Sequence, residues 1–301
     1  MKKLFIVAVF SFLLSACGQS DGASTPSGAD EKDGKIKIVA VENFYGEVAE
    51  AVGGDNVQVI SILNDAVMDP EDFTPSTQNA KDINDAGIVV YNGLGYDAWA
   101  SKLLSTSKRD TRKEIAVGSD LLGLKNGDNP HVWYDVDAMP KLADALAEAL
   151  AAIDPESADN YRANARNYRD TLAPFLQKVD ALKQDDGVPV EITETIFEYM
   201  AEKINLVPQT PDFATAVFNG VDPSPADLIQ MEQNLKEKKA KMLIYNARKK
   251  NQDVDRFMQM AKDAGIPVVA VTEQMPEGKT YLTWMMDQLN ELEKALNERR
   301  S

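Results

Sequence analysis

The segment DPESADNYRANARNYRDTLAPFLQKVDALKQDDG, residues 154–187, interrupts an otherwise regular alternation of strand-like and helix-like runs. Asp154 suits an N-cap, and Pro155 fits a first helical turn, where its missing N–H is not needed. No strand-like run appears before Gly187. Tyr161, Ala165, Tyr168, Leu172, Leu176 and Val179 recur at spacings of four and three, one face of a helix. Pro174 should bend or break that helix, because it removes a donor and clashes with the preceding turn. The segment therefore predicts a long connecting element between two separate bodies.

Working outward, short apolar runs rich in β-formers occur on both sides. Before the connector these are IKIVAV (36–41), VQVISIL (57–63), GIVVYNG (87–93) and EIAVG (114–118); after it come PVEIT (189–193), KMLIYN (241–246) and PVVAV (267–271). They are continuous rather than alternating, as in strands buried on both faces. Helical patterns lie between them, for example at 76–87, 97–107 and 137–153. Strand–helix alternation argues for parallel α/β sheets. The expected fold is α/β, with two lobes of parallel sheet flanked by helices, 36–153 and 188–301, joined by a connecting helix over 154–187. Ligands of such folds bind in the cleft between lobes. No internal repeat is apparent.

The chain begins MKKLFIVAVFSFLLSACGQS. Lys2 and Lys3 precede an apolar run from Leu4 to Leu14 that is too short for a membrane span. LSAC follows, and Cys17 is the only cysteine, so no disulfide can form within the chain. LSAC resembles a bacterial lipobox, which implies a signal peptide over 1–17 and lipid attachment at Cys17. The alternative is a plain secretory signal cut after Ala16. Residues 18–35 are small and polar and predict a flexible tether. The expected location is extracytoplasmic, on a membrane surface, periplasmic or on the outer face of the cell membrane.

The formal charge is −16, from 48 acidic and 32 basic residues. Such a surface repels phosphate and argues against nucleic acid as a partner. The basic clusters KEKKAKM (236–242) and RKK (248–250) read as solvated faces. There is no GxxxxGK[ST] loop, no GxGxxG at a strand end and no GxSxG elbow, and one histidine cannot make HExxH. A metal-dependent hydrolase would need an open coordination position and a base, and the sequence offers no evident pair.

Four stretches carry ligand-type side chains, each after a strand or loop, where open α/β sheets place their ligand groups. NDAVMDPEDFTPSTQNA (64–80) holds Glu71 and Asp72 in an acidic turn. DNPHVWYD (128–135) holds His131, the sole histidine, beside Trp133 and Tyr134, which could wall a pocket. VEITETIFEYMAEKINL (190–206) holds Glu194 at a strand-to-helix junction, where a helix dipole would favour its charge. VVAVTEQMPEGKTYLTWM (268–285) holds Glu273 just past a strand. Singly, each has a bland reading as a loop acid or, for His131, a packing residue. Together, three carboxylates and one imidazole make a four-residue metal shell.

These stretches resemble the metal-binding subgroup of ABC-transporter solute-binding lipoproteins, the zinc and manganese receptors, over nearly the whole mature chain. DPEDFTP resembles that family's D-P-H-x-[FY]-x-P loop, and NPHVWYD its N-x-H-x-W-x-D loop. TETIFEY matches its T-H or T-E dipeptide, and VTEQMPEGKTY its final V-T-E. YNGLG (91–95), Trp99 and DPSPAD (222–227) are also similar. The resemblance implies metal ligands Glu71, His131, Glu194 and Glu273, with Asp72 an alternative to Glu71 and Thr272 an alternative aligned position to Glu273. Glu71 stands where the family has histidine, and an oxygen-rich shell moves the preference from Zn²⁺ toward Mn²⁺ or Fe²⁺. The His-rich loop of many zinc receptors is absent. The function implied is capture of one divalent transition metal, Zn²⁺ or Mn²⁺ with Fe²⁺ a further option, and delivery to an ABC permease by a monomeric, non-enzymatic receptor. The rival reading is a surface adhesin on the same scaffold with weak or lost metal binding.

Overall fold

The computed structural model describes residues 34–64, 70–71, 73–107, 109–249 and 251–298. The expected signal peptide, Cys17 and most of the tether, together with Asp72, lie outside the described residues. The first lobe runs β1 Ile36–Glu42, α1 Asn43–Gly53, β2 Val57–Leu63, α2 Thr77–Asp85, β3 Ile88–Tyr91, α3 Ala98–Thr106, β4 Lys113–Ala116 and α4 Ala138–Ile153. Two helices follow, α5 Ala158–Thr171 and α6 Ala173–Leu182. The second lobe runs β5 Val188–Ile192, α7 Glu198–Lys203, β6 Leu206–Pro208, α8 Pro211–Phe218, α9 Pro225–Lys236, β7 Leu243–Asn246, α10 Gln252–Asp263, β8 Val268–Val271 and α11 Tyr281–Glu298.

Each lobe holds a four-stranded parallel sheet, ordered β2-β1-β3-β4 in the first and β6-β5-β7-β8 in the second. The continuous apolar runs are explained by burial on both faces: Ile38, Val39, Ala40 and Val41 are all fully buried. In both sheets strand order reverses between two central strands, the point at whose carboxyl ends parallel α/β sheets place their ligand groups. The edge strand β6 falls on a stretch that carried no strand expectation. It is three residues long and ends in Pro208, a residue tolerated only where a ladder bond is dispensable.

The connector is two helices meeting at Leu172, two residues before Pro174. The structure corrects one member of the expected apolar stripe. Tyr161, Ala165, Tyr168, Leu172 and Val179 are buried, but Leu176 is among the exposed large hydrophobics and Phe175 is fully buried in its place. The buried series 161, 165, 168, 172, 175, 179, 182 keeps alternating spacings of four and three through the break, so the stripe continues and passes through Phe175 rather than Leu176.

Both lobes belong to one compact unit and share one apolar core. Phe44 of α1 packs on Trp133 at 5.2 Å and on Trp284 of α11 at 5.8 Å between ring centroids. The Tyr281 hydroxyl donates to the Trp133 carbonyl at 2.7 Å, and the Tyr281 N–H donates to Glu47. Large hinge motion would break this core, so the lobes are held close to one arrangement. Among the described residues, no helix is long and apolar enough to cross a membrane.

Candidate metal centre

His131 arrives on the loop between β4 and α4. It caps a short 3₁₀ turn, Val132–Tyr134, and is fully buried. Trp133 stands edge-on to its ring at 5.3 Å, and Phe218 at the end of α8 does the same from the second lobe at 5.2 Å. These two rings pack the buried imidazole from both lobes.

Asn129 fixes the ring's protonation. Its Nδ2 donates to the Thr195 carbonyl at 2.7 Å and to Glu198 at 2.9 Å, so its Oδ1 is the atom facing His131. That oxygen accepts the His131 backbone N–H at 3.0 Å and lies 2.7 Å from Nδ1. An amide oxygen cannot donate, so Nδ1 carries the proton and Nε2 presents a lone pair. Nε2 is buried and has no hydrogen-bond partner among the described residues. Burial, helped by the nearby Lys249 charge, lowers the imidazole pKa to about 3, so the ring is neutral at physiological pH.

Glu194 follows β5 and Glu273 follows β8, both at carboxyl ends of the second sheet. One ligand atom from each of His131, Glu194 and Glu273 lies within 4.8 Å of the others, and all three residues are buried. Asn246, the last residue of β7, donates from Nδ2 to Glu194 Oε2 at 2.5 Å and to Glu273 Oε2 at 3.2 Å. The Tyr96 hydroxyl, from the first lobe, donates to Glu273 Oε1 at 2.9 Å and accepts from Gln274 at 2.7 Å.

The helix dipole does not dominate at Glu194. The residue begins a three-residue 3₁₀ turn, Thr195–Phe197, rather than an α-helix. Burial first, then the charge of Glu273, pushes its pKa up to about 7, against opposing pulls from Asn246 and Lys249. Two buried carboxylates and a buried imidazole brought this close are a donor set of the type that suits a divalent cation.

Thr272 and Glu273 have separate roles. The Thr272 hydroxyl accepts from Trp284 Nε1 at 2.7 Å, and its carbonyl lies 2.7 Å from the Tyr134 hydroxyl. Thr272 thus ties the lobes together, while Glu273 joins the cluster. Tyr134 is accordingly a core residue in this tie.

Glu71 is not part of the close cluster of three. Its carboxylate lies 3.6 Å from Lys249 Nζ, and the same ammonium lies 4.0 Å from Glu194 Oε1. The RKK cluster is therefore not simply a solvated face: the Lys249 side chain is 27% exposed and points at the acidic group. Sequence reading missed Asn246, Lys249 and Tyr96. Tyr96 alone left a signal, because it follows YNGLG. Gly93, Leu94 and Gly95 all have positive φ, and the Asp97 carboxylate closes the loop by accepting the Asn92 and Gly93 N–H groups at 2.6 and 2.9 Å. Such a loop exists to aim the residue after it. Asn92 in turn donates to the Pro130 carbonyl at 2.9 Å, linking the loop to the histidine loop.

A two-lobed binding protein with a buried group of ligand-type side chains between its sheets is the class that fold and site define. The profile of the family described as "Zinc-uptake complex component A periplasmic" matches residues 38–295, and the chain belongs to that family. It is 25% identical over 323 residues to a "Putative metal-binding protein" of Treponema pallidum, covering 99% of this chain and 98% of that one. It is also 25% identical over 326 residues to the "Manganese ABC transporter substrate-binding lipoprotein PsaA" of Streptococcus mitis, covering 98% and 99%. The fold is shared with the Mn-bound periplasmic metal-binding protein from Candidatus Liberibacter asiaticus, at TM-score 0.69 and 19% identity over 87% of this chain and 100% of that one.

Proposed function

We propose that this chain is the receptor of an ABC importer: it captures one divalent transition-metal ion between its lobes and hands it to a permease. His131 supplies the nitrogen, Glu194 and Glu273 supply oxygens, and Glu71 closes the shell from the first lobe. Cys17 anchors the body by lipid outside the cytoplasm, residues 18–35 tether it, and the protein acts as a monomer. The role is binding, not catalysis. The observation carrying this reading is the grouping of a ligand atom from each of buried His131, Glu194 and Glu273 within 4.8 Å of one another, with His131 Nε2 buried and unpartnered among the described residues. A bare acceptor beside carboxylates is an arrangement that a bound cation satisfies at every donor atom.

The names of the relatives support transport of metal, and the donor set narrows the ion. One imidazole among carboxylates suits Mn²⁺ and Fe²⁺ better than a three-histidine shell would, while Zn²⁺ still binds strongly by the general affinity order. The shared core keeps closure small, so release depends on the strength of the shell rather than on wide opening of the lobes. Competitive titration of the wild type and Glu71→His with Mn²⁺ and Zn²⁺ tests this. The expected result is one ion per chain and a shift toward Zn²⁺ in the variant. A wild type that takes up neither ion would overturn the reading.

A further inference from the structure

We infer that Lys249 is a built-in competitor of the cargo ion, an ammonium that occupies the acidic side of the site when no metal is bound and must leave when metal enters; the inference rests on the metal-receptor reading. The side chain starts three residues beyond Asn246, in the short link between β7 and α10. Asn246 holds Glu194 and Glu273 by its amide, so ammonium and ligands are tethered to one strand end. Lys249 Nζ lies between carboxylates of opposite lobes, 3.6 Å from Glu71 Oε2 and 4.0 Å from Glu194 Oε1.

The chemistry makes the two cations exclusive. Glu194 Oε1 is buried and has no hydrogen-bond partner among the described residues, so it is free to ligate. A divalent ion on that oxygen at roughly 2.0–2.2 Å would face the ammonium at contact range in a site of low dielectric. An ammonium has only donors and cannot join the shell. The side chain is 27% exposed, so it can swing to water without disturbing the core. Three carboxylates and a neutral imidazole leave the empty site strongly negative. Lys249 offsets part of that repulsion and stabilises the empty state, and by the same interaction weakens metal affinity and favours release. Glu71, where the family pattern has histidine, adds the charge that Lys249 meets.

The test is the dissociation constant and chelator-triggered release rate for Mn²⁺, with metal-free melting temperature, for the wild type, Lys249→Met and Lys249→Arg. Lys249→Met should bind about tenfold tighter or more and release more slowly, while its metal-free form melts lower. Lys249→Arg, which keeps the charge, should stay within about threefold of wild type. In a Glu71→Gln background the gain from Lys249→Met should shrink, because the two charges act as a pair. A merely structural lysine would lower both stability and affinity. Unchanged or weaker binding by Lys249→Met, with wild type binding normally, overturns this inference alone. Failure of wild type and variant alike to bind overturns the receptor reading as well.

Discussion

Asn246 joins Glu194 to Glu273: one amide nitrogen lies 2.5 Å from Oε2 of the first and 3.2 Å from Oε2 of the second. Its own Oδ1 accepts the Arg248 N–H at 3.0 Å, which fixes the side-chain orientation. Two carboxylates that would repel each other are thereby held side by side in the cluster with His131. Asn246→Ala should weaken metal affinity by about 10- to 100-fold with the fold intact, since partners of ligands contribute on that scale. Isothermal titration alongside circular dichroism checks both halves; unchanged affinity would remove Asn246 from the account.

Glu194 is held in the fold at a cost. Its pKa is about 7 against an ordinary value of 4.5. The folded state therefore prefers the protonated acid. That preference is fully present below pH 4.5 and is lost as pH rises through 7, amounting to about 3 kcal/mol as an upper figure. Glu194→Gln should raise the metal-free melting temperature at pH 7.5 by about 5 °C and abolish metal binding. Thermal melts at pH 7.5 and pH 4.5 check this, with the gain vanishing at the lower pH.

The pH dependence of binding follows from the same two groups. His131, with a pKa of about 3, is neutral throughout the physiological range and releases no proton on ligation. Glu194 must lose its proton. Affinity should therefore fall about tenfold per unit as pH drops below 7 and level off above it. Calorimetry in buffers of different ionisation enthalpy should detect close to one proton released at pH 6. Affinity flat from pH 5.5 to 7.5 would contradict the assignment.

The apolar stripe of the connector sets a stability test outside the site. Phe175 is fully buried and Leu176 is exposed. Phe175→Ala should cost about 3–5 kcal/mol, and Leu176→Ala less than about 0.5 kcal/mol. Urea denaturation of the two variants distinguishes a stripe through Phe175 from the expected one through Leu176.

Much of this was legible from local pattern. The two parallel sheets followed from continuous β-rich runs, and the break near Pro174 from the chemistry of proline. The choice of Phe175 over Leu176 did not follow, because spacings of three and four from Leu172 both keep a residue on one helical stripe. His131, Glu194 and Glu273 stood out because each sits where a parallel sheet presents ligand groups. Asn246, Tyr96 and Lys249 act through partners 27 to 178 residues away. Asn246 closed a strand-like run and Lys249 a basic triplet, and nothing nearby in sequence marks either as facing an acid.

The central claim is that a metal ion sits between His131, Glu194 and Glu273, with Glu71 closing the shell. Crystals grown with Mn²⁺ and measured at the manganese absorption edge test it most directly. One anomalous peak should appear within about 2.0–2.3 Å of His131 Nε2 and of oxygens from Glu194 and Glu273, with Glu71 turned from Lys249 onto the ion. No peak there, or a peak ligated by other residues while His131 Nε2 stays bare, would contradict it.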